Sequence, residues 1–584
     1  MERYFCFLLF IFFADLNGSA QSLPVMKSHQ KEIFFRENGK ENQWTISPEL
    51  KPDSWQVKCD NKKVKVVFHS DCDSLTFEMR KDKIVRFYII LNEKDSALTE
   101  LVGVGGNDNQ VFSYTVSPIL AQKSLKNLQI AFRFQGNKRG ITELHYPDAH
   151  WGDKGLQKGL VWIESPQKEV KIQLDAGNNK VIVQHLPSQK VEIRYQIAQI
   201  FEDSITGKKG HLPLIQPSYF HLMDNTLFMY PLSADYSEAK HLFQVEWKNF
   251  PSNFLIYNSF GANVKRQKIK TTLQKFQHGV WLGGDFRDYA LKIKGKPVHL
   301  LIRGTWKFDK EKEFVKVLEK TIPQQRSFWN DYTDKYFIIS ALPSYGEWTA
   351  QAKAFGILGT GLTNAFACFI TNNDGLAENW EGVEAVFNHE LMHNWIGGKI
   401  QNSELETLDY WFSEGFTDYF CYKNMLCSGL IDEKQWLDKM NKIYKSYQLS
   451  PVKNMPNDSI TTHNFWHNFE YEKLPYRRGL LFAFSLDMKI KQASNNQYSL
   501  NNVMWELFQH CQKENTPFRR EYFLELLKKY AKMDMTAFFE AHILKGEDID
   551  FTKTPLLSCL QLDTTDKVLT WKLTSENAKA EIMK

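Results

Sequence analysis

Two histidines and a glutamate lie close together in the second half of the chain. His389 and His393 are four residues apart, and Glu390 directly follows the first of them. On an α-helix this spacing places both imidazoles on one face, one turn apart, where they can bind a single ion. Glu390 then lies where it can take a proton from a water molecule on that ion. These residues predict a metal site that activates water.

Glu414 is the candidate for a third ligand. The spacing of the two histidines and the glutamate is the HExxH pattern of zinc peptidases. A catalytic zinc ion takes three protein ligands and keeps one position open for water. Twenty residues separate His393 from Glu414, which is enough for one helix to end and a second to return. We therefore expect one Zn²⁺ ion, bound by His389, His393 and Glu414.

Length and composition limit the class of protein. A chain of 584 residues is too long for one core and should hold two or three domains. Its 43% hydrophobic and 24% charged residues are typical of a globular protein. The net charge of +5 is modest for this length, and no block of Lys and Arg stands out. Nucleic acid is therefore not expected as a partner.

The N-terminus has the features of a secretory signal peptide. Arg3 precedes an apolar run from Phe5 to Phe13, and the small residues Gly18 and Ala20 suit cleavage after Ala20. The alternative is an uncleaved anchor, although the run is short for a membrane span. We expect residues 1–20 to be removed. The mature chain is then secreted or periplasmic, with no transmembrane segment.

The apolar pattern changes near Asp309. Residues 21–308 consist mostly of short β runs separated by turn residues, which predicts an N-terminal β domain. Residues 309–547 have mainly helical periodicity and hold the candidate site, and residues 548–584 form a short C-terminal tail. The expected fold class is α+β, with an N-terminal β-sheet domain followed by a mostly helical domain.

Individual elements are predicted around the candidate ligands. Strands are expected at Tyr336–Leu342 and Gly361–Thr371. Helices are expected at Trp380–Ile396, which carries both histidines, and at Glu404–Met425, which carries Glu414. A further helix is expected at Tyr476–Gln492. The ligands would thus come from two neighbouring helices.

The sequence around the ligands resembles the gluzincin zinc aminopeptidases. The resemblance rests on the helix pair, on Trp-Phe-Ser-Glu-Gly-Phe-Thr at 411–417, and on Tyr476-x-x-Gly479 followed by Leu486-Asp487. It is closest to the glycyl aminopeptidase family, with the alanyl-aminopeptidase type as a cousin. The resemblance implies a thermolysin-like zinc-peptidase domain behind the β domain, and a peptide as substrate.

The resemblance also implies roles for single residues. It makes His389, His393 and Glu414 zinc ligands, Glu390 the general base, and Tyr476 the donor that stabilises the transition state. The spacing alone leaves Tyr476 open, because a tyrosine just before a helix is more often a packed aromatic residue.

The segment that begins at Gly359 departs from the family pattern. It takes the place of the strand on which relatives bind substrate, so Gly361, Leu362, Thr363 and Asn364 are the candidate substrate-binding residues. Relatives carry a glutamate there that binds the α-amino group of the substrate, whereas Thr363 and Asn364 are uncharged. An uncharged side chain cannot form an ion pair with an ammonium group, so endopeptidase action stays open. The strand can still pair with an extended peptide.

Several readings remain open beside the main one. We expect an exported, aminopeptidase-like zinc metallopeptidase with Glu390 as general base. The alternatives are an endopeptidase, a non-catalytic peptide-binding protein with a structural zinc, and a non-peptidase zinc hydrolase on the same frame. Asp418 either orients a ligand or is a solvated or capping residue. His463 and His467 have no acidic partner at motif spacing and are expected to be surface or core histidines. The sequence does not predict an oligomeric state.

Overall fold

The computed structural model describes most of the chain after Gln110. The described residues are 110–583 apart from 146–148, 151–152, 176–179, 202–207, 233–239, 335, 345–355, 403–405, 515, 566–567 and 576–577, together with seven strands between residues 33 and 102. The predicted signal peptide, residues 1–20, lies outside the described residues.

The N-terminal half is built from β-sheets, as predicted. Its largest sheet has six strands, in the spatial order Leu160–Glu164, Lys190–Ile197, Ser124–Gln135, Val111–Ala121, Lys240–Trp247 and Arg266–Thr272. A five-stranded sheet follows in the order Leu214–Gln216, Tyr219–Met223, Val280–Gly284, Leu255–Asn258 and Gly261–Ala262. Side chains alternate between buried and partly exposed along the longest strands, because only one face of the sheet is in the core.

A second five-stranded sheet supports the candidate site, and we call it the catalytic sheet. Its spatial order is Arg287–Ile293, Lys296–Ile302, Phe337–Ser344, Ala365–Thr371 and Ile357–Leu362. Lys296–Ile302 and Phe337–Ser344 are parallel and are joined through the helix Glu311–Trp329. Ile357–Leu362 pairs on one side only, so we call it the edge strand.

The catalytic sheet is covered on both faces. Ile339, Phe366 and Ile370 belong to the core shared with the helices, whereas Ile338 and Phe369 pack against the N-terminal sheets. Burial on both faces explains why Phe337–Ser344 and Ala365–Thr371 are buried along their whole length.

Eight long helices follow the chain through the C-terminal half. They are α1 (Glu311–Trp329), α2 (Trp380–Met392), α3 (Glu406–Ser413), α4 (Gly415–Ser428), α5 (Glu433–Gln448), α6 (Phe469–Ala493), α7 (Leu500–Glu514) and α8 (Arg520–Ala531). Within the parts of the chain described, none of the helices has both the length and the hydrophobicity that crossing a bilayer requires. The predicted α+β class, with sheets first and helices after, is confirmed.

Sheet pairing and packing cross two of the predicted domain boundaries, which stay predictions. The strands Arg287–Ile293 and Lys296–Ile302 precede residue 308 but pair into the catalytic sheet, so the sheet crosses the boundary predicted between residues 308 and 309. The predicted tail after residue 547 forms a hairpin, Leu560–Asp563 with Thr570–Leu573, and a helix, Ala578–Met583. Trp571 and Ile582 are buried in the core of the helical half.

Two predicted elements near the site are each divided. The strand expected at Gly361–Thr371 is a hairpin, because the chain turns at Thr363 and Asn364, and Asn364 has a φ of 51°. The helix expected at Glu404–Met425 is two helices, α3 and α4, that meet at Glu414. Residues 404 and 405 of that expected helix lie outside the described residues.

Candidate active site

Helix α2 brings the two histidines together. Val383, Phe387 and Leu391 recur every four residues and bury one face of α2 in the core. His389 lies in the last turn and His393 is the residue that ends the helix. Their rings are 4.6 Å apart, and their Nε2 atoms are separated by 2.9 Å. The predicted one-turn spacing therefore directs both Nε2 atoms to the same point.

The junction of α3 and α4 places Glu414 at that point. Oε2 of Glu414 lies 3.3 Å from Nε2 of His389 and 3.5 Å from Nε2 of His393. Gly415 allows this, because a Cβ atom there would lie 2.6 Å from the backbone carbon of Gly479 on α6. The two glycines let the α3–α4 junction and α6 meet backbone to backbone.

The other nitrogen of each imidazole has its own acceptor. Nδ1 of His389 lies 2.7 Å from Oδ1 of Asp418, and Nδ1 of His393 lies 3.1 Å from the carbonyl of Ile396. A carboxylate and a carbonyl can only accept, so each Nδ1 carries the proton and donates it. Of the two readings of Asp418, the structure places it against His389. Both Nε2 atoms are left as acceptors.

The donor set fits zinc. The Nε2 atoms of His389 and His393 and a carboxylate oxygen of Glu414 converge within 2.9–3.5 Å. Two ligand atoms on a tetrahedral zinc lie about 3.3 Å apart, given zinc–ligand distances near 2.0–2.1 Å. Among the described residues, these three form the one group of histidine, cysteine and acidic side chains with metal-binding geometry. Zn²⁺ would therefore be held by His389, His393 and Glu414.

The pKa values of the ligands reflect the same concentration of negative charge. Burial acts to lower the pKa of His389, but Asp418 and Glu414 outweigh burial and raise it well above its ordinary value. Burial acts to raise the pKa of Glu414, but the two imidazoles hold it well below its usual range. The cluster therefore attracts a positive charge, which a metal ion supplies when it displaces protons.

Glu390 lies between the ligands and the edge strand. It is 9% exposed, and a Cβ atom built on Gly359 would lie 2.6 Å from its Cγ. Burial raises its pKa above the ordinary value for a glutamate, against the opposing effect of His389 and His393. A carboxylate whose pKa is raised toward neutrality is suited to accept and return a proton.

Tyr476 reaches the same site from α6. Its ring is stacked on that of His389 with 6.0 Å between centroids, and the side chain is only partly buried. Burial raises the pKa of Tyr476 well above its usual value, and the nearby carboxylates of Glu414 and Asp418 raise it further. The hydroxyl therefore keeps its proton at neutral pH and can donate it in a hydrogen bond.

The candidate substrate-binding residues occupy different positions on the edge hairpin. Gly361 faces the site, since a Cβ atom there would lie 3.0 Å from Cβ of His393. Leu362 is buried in the sheet core. The backbone N–H of Thr363 donates to the carbonyl of His278 at 2.6 Å, and the side-chain amide of Asn364 donates to the carbonyl of Ser259 at 3.2 Å. Only Gly361 is thus placed beside a zinc ligand.

Gly359 is not among the predicted site residues. Its role depends on a contact with Glu390, 31 residues later, and the absence of a side chain carries no chemical signal in a sequence.

The pair His463 and His467 lies exposed on a short helix, Thr462–His467, with 4.8 Å between the rings. This agrees with the reading of a surface pair.

Comparison with known proteins locates the similarity in the same segment. Residues 383–478 match the family model of the M61 glycyl aminopeptidases. The fold is similar to that of an aminopeptidase N family protein from Idiomarina loihiensis, with a TM-score of 0.64 and 15% identity over 77% of this chain and 79% of that one. An M1 zinc metallopeptidase from Deinococcus radiodurans aligns with a TM-score of 0.48 and 14% identity, over 77% of this chain and 96% of that one. No curated protein matches the sequence.

The matched segment includes both histidines, Glu390, Glu414 and Tyr476. The predicted resemblance to the glycyl aminopeptidases is therefore confirmed. The segment that carries these residues is thus similar to the M61 glycyl aminopeptidases, and the fold of the chain is similar to that of an aminopeptidase N family protein.

Proposed function

We propose that the protein is an exported peptidase that uses one zinc ion held by His389, His393 and Glu414, with Glu390 as its general base. The observation that carries the proposal is the convergence of three ligand atoms within 3.5 Å of one another beside a buried carboxylate. A purely structural zinc site has no use for an additional acid whose pKa is raised by burial.

Each residue of the site has a separate role in the proposed reaction. Zinc, when bound, lowers the pKa of a water molecule toward neutrality and polarises the scissile carbonyl. Glu390 would accept a proton from the attacking water and return it to the leaving amine. Tyr476, which stays protonated, donates a hydrogen bond to the oxyanion of the tetrahedral species. Asp418 keeps the imidazole of His389 in the tautomer that binds metal.

The edge strand is the proposed place for the substrate backbone. The backbone N–H of Thr371 donates to the carbonyl of Gly356 at 2.9 Å. From this pair onward, hydrogen-bonded and non-hydrogen-bonded pairs alternate along the hairpin. By this alternation the N–H and C=O of Gly361 point to the open edge. An extended peptide that pairs there would pass directly beside His393.

The essential test is Glu390→Gln. Removing the general base should lower kcat for a peptide substrate by about 10²–10⁴-fold while zinc stays bound. Glu384→Gln is the matched control, because Glu384 lies on the same helix, is also partly buried with a raised pKa, and is no part of the site. A Glu390→Gln protein as active as the wild type would remove Glu390 as the base.

The position of cleavage needs a second comparison. Thr363 and Asn364 are uncharged, so neither can anchor an ammonium group through charge, and the side-chain amide of Asn364 already donates to the carbonyl of Ser259. Equal rates on peptides with free and acetylated N-termini would favour endopeptidase action, and loss of cleavage on acetylation would favour an aminopeptidase.

If export is correct, the N-terminus of protein recovered outside the cytoplasm is Gln21.

A further inference from the structure

One face of helix α6 runs from the candidate active site to the protein surface. Phe469, Lys473 and Tyr476 are spaced by four and three residues, which places them on the same side of the helix. We call these three residues the α6 face. Tyr476 is its inner end, beside His389, and Phe469 is its outer end.

Lys473 contacts the other two side chains of the α6 face. Nζ of Lys473 lies 4.9 Å from the centre of the Tyr476 ring and 5.9 Å from the centre of the Phe469 ring. The lysine thus lies between two aromatic rings, within the range of cation–π attraction. This arrangement holds a positive charge next to the residue proposed to donate to the oxyanion.

The outer end of the face is unusually exposed for its residue types. Phe469 is 61% exposed, and the neighbouring Trp466 is 38% exposed. Large apolar side chains that stay exposed beside a polar rim commonly mark a binding surface. Because this one is continuous with Tyr476, a peptide held in the site would extend onto it.

The charge of Lys473 is available to a ligand. Its present partner is Glu472, the preceding residue, at 2.6 Å, and the two side chains are 34% and 37% exposed. An ion pair this exposed contributes little to stability and is easily exchanged. Arg477, by contrast, is 15% exposed and bonded to Glu470, which Ser450 also holds.

We propose that the α6 face is a substrate subsite for a peptide that carries an acidic side chain next to an apolar one. Lys473 pairs with the acid, and Phe469 packs against the apolar residue. This inference rests on the proposed peptidase function, and it adds a preference that the zinc site itself does not set.

The experiment measures peptide binding to the zinc-loaded Glu390→Gln protein, so that cleavage does not interfere. The probes are alanine-based hexapeptides in which one glutamate, glutamine or lysine is moved through the inner positions, with Leu or Ala as its neighbour. Calorimetry should find a position at which glutamate binds about 5-fold tighter than glutamine, the scale of a partly exposed ion pair. Adding Lys473→Glu should reverse the preference in favour of lysine, and adding Phe469→Ala should abolish the gain from Leu.

Two matched variants control for unspecific effects. Lys513→Glu removes a lysine on helix α7 that also pairs with its sequence neighbour, Glu514. Lys513 is far more exposed than Lys473. Met533→Ala removes another exposed apolar side chain. Both should keep the wild-type preference. If no position distinguishes glutamate from glutamine, the subsite is overturned. If selective binding is found but the wild-type protein cleaves none of the peptides, the peptidase function fails and the subsite stands.

Discussion

Helix α4 contributes to two clusters of buried charge that differ in kind. Glu414, one of the candidate zinc ligands, lies at its start. Further along the helix, Tyr419 and Lys423 meet Asp487, which is fully buried on α6. The hydroxyl of Tyr419 donates to Asp487 at 2.6 Å, and Nζ of Lys491 lies 3.0 Å from it. We call these four residues the Asp487 cluster.

The difference lies in how donors and acceptors are matched. In the Asp487 cluster each donor has an acceptor: Lys423 also reaches the side-chain oxygen of Asn501 at 3.1 Å, and Lys491 the carbonyl of Ile582 at 3.2 Å. In the candidate zinc site three atoms that can bind a metal ion converge on one point. Complementary charges indicate a structural role, and converging acceptors indicate a place for a cation.

The largest expected effect is on metal binding. His393→Ala should weaken zinc binding by more than about 100-fold, beyond the loss usual for residues that only support a ligand, and should abolish hydrolysis. The free energy of unfolding of the metal-free protein should change by less than about 1 kcal/mol, because one of two opposed lone pairs is removed. Metal analysis after dialysis and urea unfolding in a chelator measure the two quantities.

The exposed histidine pair supplies the control. His467→Ala also removes one of two histidines spaced by four residues, and it should leave the zinc content unchanged. Full zinc occupancy in His393→Ala would contradict the ligand assignment.

The Asp487 cluster should respond in the opposite way. Asp487→Asn leaves two buried lysines without their carboxylate and should lower the free energy of unfolding by about 3–5 kcal/mol. Zinc should remain bound to the folded fraction. Glu246→Gln, which breaks a surface pair with Arg266, should cost at most about 1 kcal/mol. An Asp487→Asn protein of wild-type stability would show that the cluster is not structural.

The same variant has a defined pH dependence. Burial acts to raise the pKa of Asp487, but Lys423 and Lys491 hold it well below its ordinary value of 3.8. A carboxyl group with a lowered folded-state pKa contributes stability above its unfolded pKa, and this contribution is lost as the pH falls toward the folded value. The difference in stability between wild type and Asp487→Asn should therefore narrow as the pH falls below about 4.

Two tyrosines sharpen the comparison, with the smallest expected effects. Tyr476→Phe should lower kcat by about 100-fold, the usual loss for an oxyanion donor, with little change in stability. Tyr419→Phe should lower the free energy of unfolding by about 1–3 kcal/mol, because Asp487 loses a buried donor, and should leave kcat unchanged. If the two variants exchanged these effects, the assignment of the two clusters would be reversed.

The parts of the site that follow from local geometry could be predicted. His389 and His393 are brought together by the pitch of one helix, so their spacing alone is informative. Glu414 required only that a second helix return. The position of Tyr476 depended on the family resemblance, because the close contact between Gly415 and Gly479 that brings α6 to the site is not visible in either segment alone.

The structural features that the sequence did not predict depend on contacts between residues far apart in the sequence, or on turns that lack typical turn residues. The hairpin turn at Thr363 and Asn364 contains no glycine or proline, so the segment reads as one strand. The parallel pairing of Lys296–Ile302 with Phe337–Ser344 across α1 determines the extent of the catalytic sheet. The Asp487 cluster joins residues from 419 to 491, so its members lie far apart in the sequence.

The contact between Gly359 and Glu390 makes the proposed proton acceptor part of the wall along which a substrate would lie. Because Gly359 has no side chain, the backbone of the edge strand lies directly against the Glu390 carboxylate. A small displacement of the strand should therefore also displace the carboxylate. Binding of a peptide to the edge strand would therefore shift the position of the Glu390 carboxylate, because residue 359 has no side chain.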